Sequence, residues 1–449
     1  MQTKQDERLG SEPIGKLIIS MAVPSVAAQI INVLYNIVDR VYIGHIAGYG
    51  DMALTGVGVT FPILMLISAF SAFAGMGGAP LASIHLGKRD YEGAENILGN
   101  SAGLLVIFSV TLTAFFSIFK TQILYAFGAS DNIIGYATDY ISIYLIGTIF
   151  VQVSVGVNVF ISGQGRARTA MLSVLIGAVT NIILDPIFIF ALHMGVRGAA
   201  FATIISQAIS AIWIIHFLTS DKSVVKLKLT KMKLKPALVG RIAALGISPF
   251  IMQSTESLVS ITLNSGLQRY GGDLYVGTMS IMTSVMQLIV IPMQGVSQGV
   301  QPIISYNYGA KNARRVKEAY FKMLAICFLG TFILAGIAVM APGVYAGIFT
   351  DNQDLVELTC KVMPVYFLGI TIFGIQNACQ STFLALGQAK VSLFIALLRK
   401  VILLIPLAII LPRFMGVMGI YRAEPIADVI SVTVTIILFT VTFKKICIA

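Results

Sequence analysis

Apolar residues fill this chain in runs far longer than a soluble helix needs, and polar residues gather in short segments between them. Twelve runs reach the roughly 20 residues that a helix needs to cross a bilayer. They lie near 17–38, 53–79, 97–119, 134–160, 169–192 and 198–218, then near 242–264, 275–305, 319–341, 358–385, 391–412 and 417–442. Each is predicted to be a helix, because backbone in lipid must satisfy its own hydrogen bonds. No small-residue cleavage site follows the first run, so it is expected to stay as a span and not to be a signal peptide.

Composition agrees with that pattern. Charged residues make up 11% of the 449 and hydrophobic ones 57%, against roughly 25% charged in an ordinary soluble domain. A soluble enzyme, a disordered chain and a secreted disulfide scaffold are all excluded. Cys327, Cys360, Cys379 and Cys447 show no metal-binding spacing and read as small hydrophobes. The four histidines are scattered, and HExxH, GxSxG and P-loop patterns are absent. No enzyme activity and no cofactor are expected.

The net charge of +11 points to basic loops on one side of a membrane, and nucleic acid is not expected as a partner. Twenty-one lysines and arginines fall in loops on one side, among them Lys4, Lys88, Arg89, Lys311, Lys444 and Lys445, and seven fall on the other. That asymmetry predicts a multi-pass protein of the cytoplasmic membrane with both termini cytoplasmic. The longest loop, DKSVVKLKLTKMKLKP, is expected to be a solvated linker, with binding of anionic lipid headgroups as the alternative. It separates a first lobe (1–219) from a second (242–449), with residues 220–241 as the basic linker.

The two halves resemble each other. Pro80 and Gly87 recur as Pro302 and Gly309, an offset of 222, and MGVRGAA at Met194–Ala200 answers MGVMGIY at Met415–Tyr421, an offset of 221. Three segments sharing nearly one offset predict two six-helix lobes related by an internal repeat. Because six is even, the repeats run in parallel across the membrane, as in transporters that rock around a central cavity.

Ionisable groups inside spans are costly and mark function by default. Asp39 closes the first span, and Gln29, Asn32 and Asn36 precede it at spacings that place all four on one helical face. Pro24 lies upstream, where a missing hydrogen bond permits a kink. The fifth span carries Asn181 and Asp185 four residues apart, and the sixth supplies Thr203. These are hard oxygen donors, suited to a small cation such as Na⁺ or to a shared proton. In the second half Glu256 lies mid-span near Gln253, Arg399 and Lys400 interrupt the eleventh span, and Asn377 sits in the tenth. A buried Glu256–Arg399 pair is one option, and a polar wall that contacts cationic substrate or carries a second proton is the other. Glu424 and Asp428 in the last span are read as structural.

LYNIVDRVYIG, NIILDPIFIF, GAAFATIIS, QGVQPIISYNYGAKN and PIADVIS together resemble the MATE family of multidrug and toxic compound extrusion transporters, on the bacterial branch that includes MepA-like and DinF-like exporters. The resemblance covers essentially the whole chain. It implies an all-α polytopic protein of twelve helices in two lobes around a V-shaped cavity. It also implies antiport of organic, mostly cationic, drugs against Na⁺ or H⁺, with no cofactor, by a monomer in contact with membrane lipid. The family's amino-lobe cation site maps onto Asp39, Asn181, Asp185 and Thr203, with Tyr140 and Asn158 joining that network and Pro24 matching a proline associated with bending. Glu256 matches an acidic residue used by the NorM-like branch, whose partner carboxylate is here Asn377. A flippase for a lipid-linked saccharide, from a related branch, is the alternative function.

Overall fold

The computed structural model of the chain describes residues 8–349 and 352–448, and side chains as far as Phe443. Lys4 lies outside these residues, as do the side chains of Lys444, Lys445 and Cys447. Among the described residues there are helices and loops and no strands. Ten single helices are long and apolar enough to cross a membrane, and two bent pairs bring the spans to twelve. In chain order they are α1 Ile14–Gly44, α2 Gly50–Gly87, α3 Tyr91–Ala126, α4 Ile134–Ile146 with Thr148–Gly163, α5 Ala167–Ala191 and α6 Gly195–Thr219. Then come α7 Pro236–Gly271, α8 Asp273–Gly309, α9 Ala313–Met340, α10 Gln353–Phe367 with Ile370–Ala385, α11 Ala389–Met415 and α12 Val417–Phe443. This is a multi-pass membrane protein.

The two broken spans have local causes. α4 bends by 63° at Gly147, where a Cβ would meet the Ile204 side chain of α6. α10 bends by 43° beside Gly369, where a Cβ would lie 2.8 Å from Pro425 Cα in α12. Three spans also carry π-helical turns: Gln152–Val157 in α4, Ile187–Ala191 in α5 and Leu398–Leu404 in α11. Such turns insert an extra residue into a helix and often re-aim side chains at functional sites.

The internal repeat is written into the backbone. Arg89 and Lys311, 222 apart, both take left-handed conformations (φ 60° and 57°), as do Gly165 and Gly387 (φ 81° and 71°). The following residues, Asp90 and Asn312, cap α3 and α9 by accepting from Gly93 N–H and Arg315 N–H. The Gly93 N–H, with His85 beside it, holds the Asp90 carboxyl below the usual carboxylate range. Ser83 Oγ donates to Gly163 O at 2.8 Å, and Ser305 Oγ donates to Ala385 O at 2.9 Å. These are the same bond, 222 residues on.

The chain divides into two compact units. Unit 1 holds the described residues up to Glu12 together with Ala27–Gln253, and unit 2 holds Pro13–Val26 with the described residues from Ser254 onward. In unit 1 the first part of α7 packs tightly on α2: a Cβ on Gly77 would lie 2.9 Å from Gly246 N, and Phe250 stacks edge-on against Phe70 with centroids 4.9 Å apart. In unit 2 the first part of α1 packs on α8, where a Cβ on Gly299 would lie 2.6 Å from Ala22 Cα.

The basic loop is not the solvated linker expected from its composition. Glu95, largely buried at the start of α3, accepts from Lys228 and Lys231 at 2.8 Å each. Asn100 Oδ1 accepts from Lys235 N–H at 2.7 Å, and Gln164 Oε1 accepts from the N–H groups of Val224 and Val225. Ser223 and Val225 are buried. The lysines Lys228 and Lys231 turn inward to Glu95, and backbone N–H groups of the strap bond Gln164 and Asn100, which together hold it to unit 1.

Candidate cation site and its surroundings

Asp39 of α1 and Asp185 of α5 stand five and six residues before the ends of their helices, at Gly44 and Ala191. Both are buried, Asp185 completely and Asp39 to 9% exposure. Arg40, next in sequence, lies over the Phe61 ring at 5.4 Å. The two carboxyls meet within hydrogen-bonding reach of each other. Asn181, one turn before Asp185, donates its Nδ2 to Asp185 Oδ1 at 3.2 Å. Tyr140 and Tyr35 face the pair, and Tyr140 also lies against Thr203.

Electrostatics make this arrangement incomplete as it stands. Two carboxyls in contact, out of water, need a proton or a cation between them. Three buried acceptor oxygens, Asp39 Oδ1, Asp185 Oδ2 and Asn181 Oδ1, have no donor. Buried acceptors without donors are rare and call for a partner. Thr203 Oγ donates to Ala199 O at 3.0 Å and keeps its lone pairs free to accept.

Other predicted residues lie elsewhere. Asn158 Nδ2 donates to Ala170 O at 3.2 Å, and its Oδ1 accepts from Ser173 Oγ at 3.1 Å, both at the opposite end of α5 from Asp185. Asn36 is exposed and bonds the Asn32 carbonyl of its own helix at 2.6 Å. Gln29 is half-buried one turn further up, and α1 runs unbroken through Pro24. Tyr35 was legible by spacing, four residues before Asp39, and was missed because a tyrosine in an apolar span carries no charge to flag it.

In unit 2 the Glu256–Arg399 pair, one of the two options the sequence left open, is not formed. The two adjacent bases of α11, within its π-helical turn, point different ways. Arg399 Nε donates to Asp428 Oδ1 and its Nη2 to Glu424 Oε1, both at 2.7 Å, and its guanidinium lies 4.4 Å from the Phe373 ring centre. Lys400 takes Glu256 instead, and Glu256 stays half exposed. Asn377 Nδ2 donates to Ser297 Oγ at 3.1 Å. Gln253, the last residue of unit 1, has a buried Oε1 acceptor without a donor.

The model of the MatE family matches residues 24–187 and 249–410, most of the chain and once per repeat. The chain belongs to the MatE family. Among curated proteins the chain is 26% identical over 433 residues to the multidrug export protein MepA of Staphylococcus aureus strain MSSA476, covering 94% of each. It is 25% identical over 418 residues to MepA of Staphylococcus haemolyticus strain JCSC1435, covering 93% and 91%. Solved folds agree: a MATE protein crystallised in a bent conformation superposes with a TM-score of 0.91 at 23% identity over 98% of both chains. An outward-facing multidrug resistance MATE transporter of the MOP superfamily gives 0.90 at 23% identity, over 99% of this chain and 98% of its own. The MatE assignment makes the buried acids of α1 and α5 part of a membrane transporter.

Proposed function

We propose that this MatE protein is a secondary active multidrug exporter that exchanges organic, mostly cationic, compounds for Na⁺ or H⁺ by alternating access. The observation that carries the reading is the Asp39–Asp185 contact with three donor-less oxygens around it. The MepA relatives are export proteins by name, which supports the drug side of the exchange. The 21-to-7 bias of basic residues supports cytoplasmic termini in a bacterial membrane. In this mechanism the cation binds the conformation that follows substrate release better than the drug-loaded one, because a ligand moves an equilibrium only by its differential affinity. Asp39, Asn181, Asp185 and Thr203 offer several hard oxygens at once, a requirement of Na⁺ that a proton does not share.

Ethidium efflux from energised vesicles at fixed pH, with Na⁺ replaced by K⁺, tests the reading. Efflux is expected to fall in K⁺ medium, and Thr203→Ala to weaken the Na⁺ dependence. Efflux that ignores Na⁺ and collapses with a protonophore would make the pair a proton relay. Efflux indifferent to both would end the antiport reading.

Glu256, half exposed beside Lys400 with Asn377 where a partner acid would stand, supports a substrate-facing role. Glu256→Gln is expected to lower efflux of cationic drugs severalfold and of neutral ones little. The check is a panel of minimum inhibitory concentrations against matched charged and neutral compounds. Equal and complete loss across the panel would make Glu256 an obligatory coupling residue.

A further inference from the structure

The repeat allows the two units to be compared position by position. On their sixth helices the register is pinned by Gly195 and Gly416, both left-handed (φ 55° and 59°), 221 residues apart. Gly198 and Gly419 confirm it: at each, a Cβ would lie 2.6 Å from the backbone of the preceding span, at Phe188 and Leu411. In that register Thr203 answers Glu424, and Gln207 answers Asp428. On the fifth helices the left-handed Gly165 and Gly387 give 222, so Arg399 answers Gly177. Gly177 faces α6, with its Cβ position 3.5 Å from Ser210 Cβ. Tyr144 and Tyr366, also 222 apart, flank the respective centres: Tyr144 stacks on Tyr140, and Tyr366 faces Glu424 and Asp428.

The corresponding centres therefore carry inverted chemistry. In unit 1 the fifth helix brings an acid, Asp185, and the sixth brings neutral Thr203 and Gln207. In unit 2 the position of Asp185 is Leu407, the sixth-helix counterpart brings two acids, and the fifth brings a base. We infer that Arg399 is a covalently tethered cation that permanently fills the acid centre of unit 2, a centre that shares with the unit 1 ion site the position of Thr203 and Glu424. The inference rests on reading Asp39–Asp185 as an ion site.

Several observations converge on it. Glu424 and Asp428 are buried, and one oxygen of each is taken by a different nitrogen of the same guanidinium. That fork matches two carboxylates as a bound ion would, and arginine does not lose its proton in proteins. Phe373 covers the guanidinium face, a cation–π contact that adds to the attraction when desolvated. Asp428 Oδ2 has no donor, a place for a proton shared by the two acids, which together with Arg399 would leave the centre neutral. A centre built this way is loaded permanently. Ion exchange is then confined to unit 1, and each transport cycle carries one unit's worth of coupling ion.

Two variants of the full-length protein test this. Arg399→Ala, purified in detergent, is expected to melt several degrees below wild type and to recover in millimolar methylguanidinium, with tetramethylammonium as the ionic control. Wild type and the Arg399→Ala/Asp428→Asn double variant are expected to show no such recovery. Failure of methylguanidinium to raise the melting temperature selectively would overturn the inference. If Arg399→Ala does not yield folded protein, the neutral triple Arg399→Met/Glu424→Gln/Asp428→Asn removes the whole centre without leaving an unpaired charge. Reconstituted in proteoliposomes, it is expected to keep the wild-type ratio of ions to substrate, whatever its rate. A changed ratio would show that the unit 2 centre exchanges an ion and would overturn the inference. Absence of ion coupling in wild type would instead refute the antiport reading, and the methylguanidinium arm would still decide whether the centre is cation-shaped.

Discussion

Asp185→Asn is expected to abolish active efflux while leaving the amount of protein in the membrane unchanged. The side chain is fully buried and touches Asp39. An amide keeps its shape and its bond with Asn181 but removes the charge that a cation must neutralise. Folding is expected to survive, because a buried carboxylate without full partners costs free energy and a neutral amide costs less. Accumulation of ethidium should therefore match a strain without the gene, with blot intensity and melting temperature at or above wild type. Asp39→Asn is expected to behave alike. Normal efflux by a well-expressed variant of either residue would sink the cation-site assignment.

Gly75→Val is expected to do the opposite, losing the protein itself. Gly75 of α2 lies against Gly156, inside the π-helical turn of α4. A Cβ there would sit 2.9 Å from Gly156 Cα and 3.0 Å from its carbonyl carbon, so the clash is with backbone that no rotamer can relieve. The same contact is fixed from both sides by Ser71 Oγ donating to Gln152 Oε1 at 3.0 Å and Gln152 Nε2 donating to Ile67 O at 3.2 Å. Small residues let membrane helices approach closely, and overpacking such a contact costs about 3 kcal/mol or more. The measurement is the monodisperse fraction on size exclusion after mild solubilisation, expected to fall several-fold. A fully monodisperse variant with wild-type melting would show that α2 and α4 can separate freely.

Both effects trace to features of different legibility in the sequence. The twelve spans could be read directly, because lipid leaves a long apolar helix few alternatives, and the repeat could be read because Pro80, Gly87 and Met194–Ala200 recur at nearly one offset as Pro302, Gly309 and Met415–Tyr421. Asp39 and Asp185 stood out as rare charges in apolar runs. The partners of Arg399 did not. Glu424 and Asp428 lie 25 and 29 residues further on, across a loop, and the sequence does not say which of the adjacent bases Arg399 and Lys400 faces them. The docking of the basic loop was hidden for a related reason: its lysines dominate the composition, and the bonds that hold it run through backbone groups and through Glu95, Asn100 and Gln164, whose sequence neighbourhoods give no hint of a strap.

The strap also changes where the protein can be cut. Its bonds run to Lys235, and the compact unit it serves continues through half of α7, to Gln253. Unit 2 likewise claims Pro13–Val26 from the first half of the gene. Splitting the coding sequence at residue 235 would give two fragments that each carry part of a helix belonging to the other, so neither would fold as an independent six-helix protein. Co-expressed fragments could assemble only by trading those half-helices. Two identical six-helix chains that exchanged their opening half-helices, later joined end to end, would have left this pattern behind.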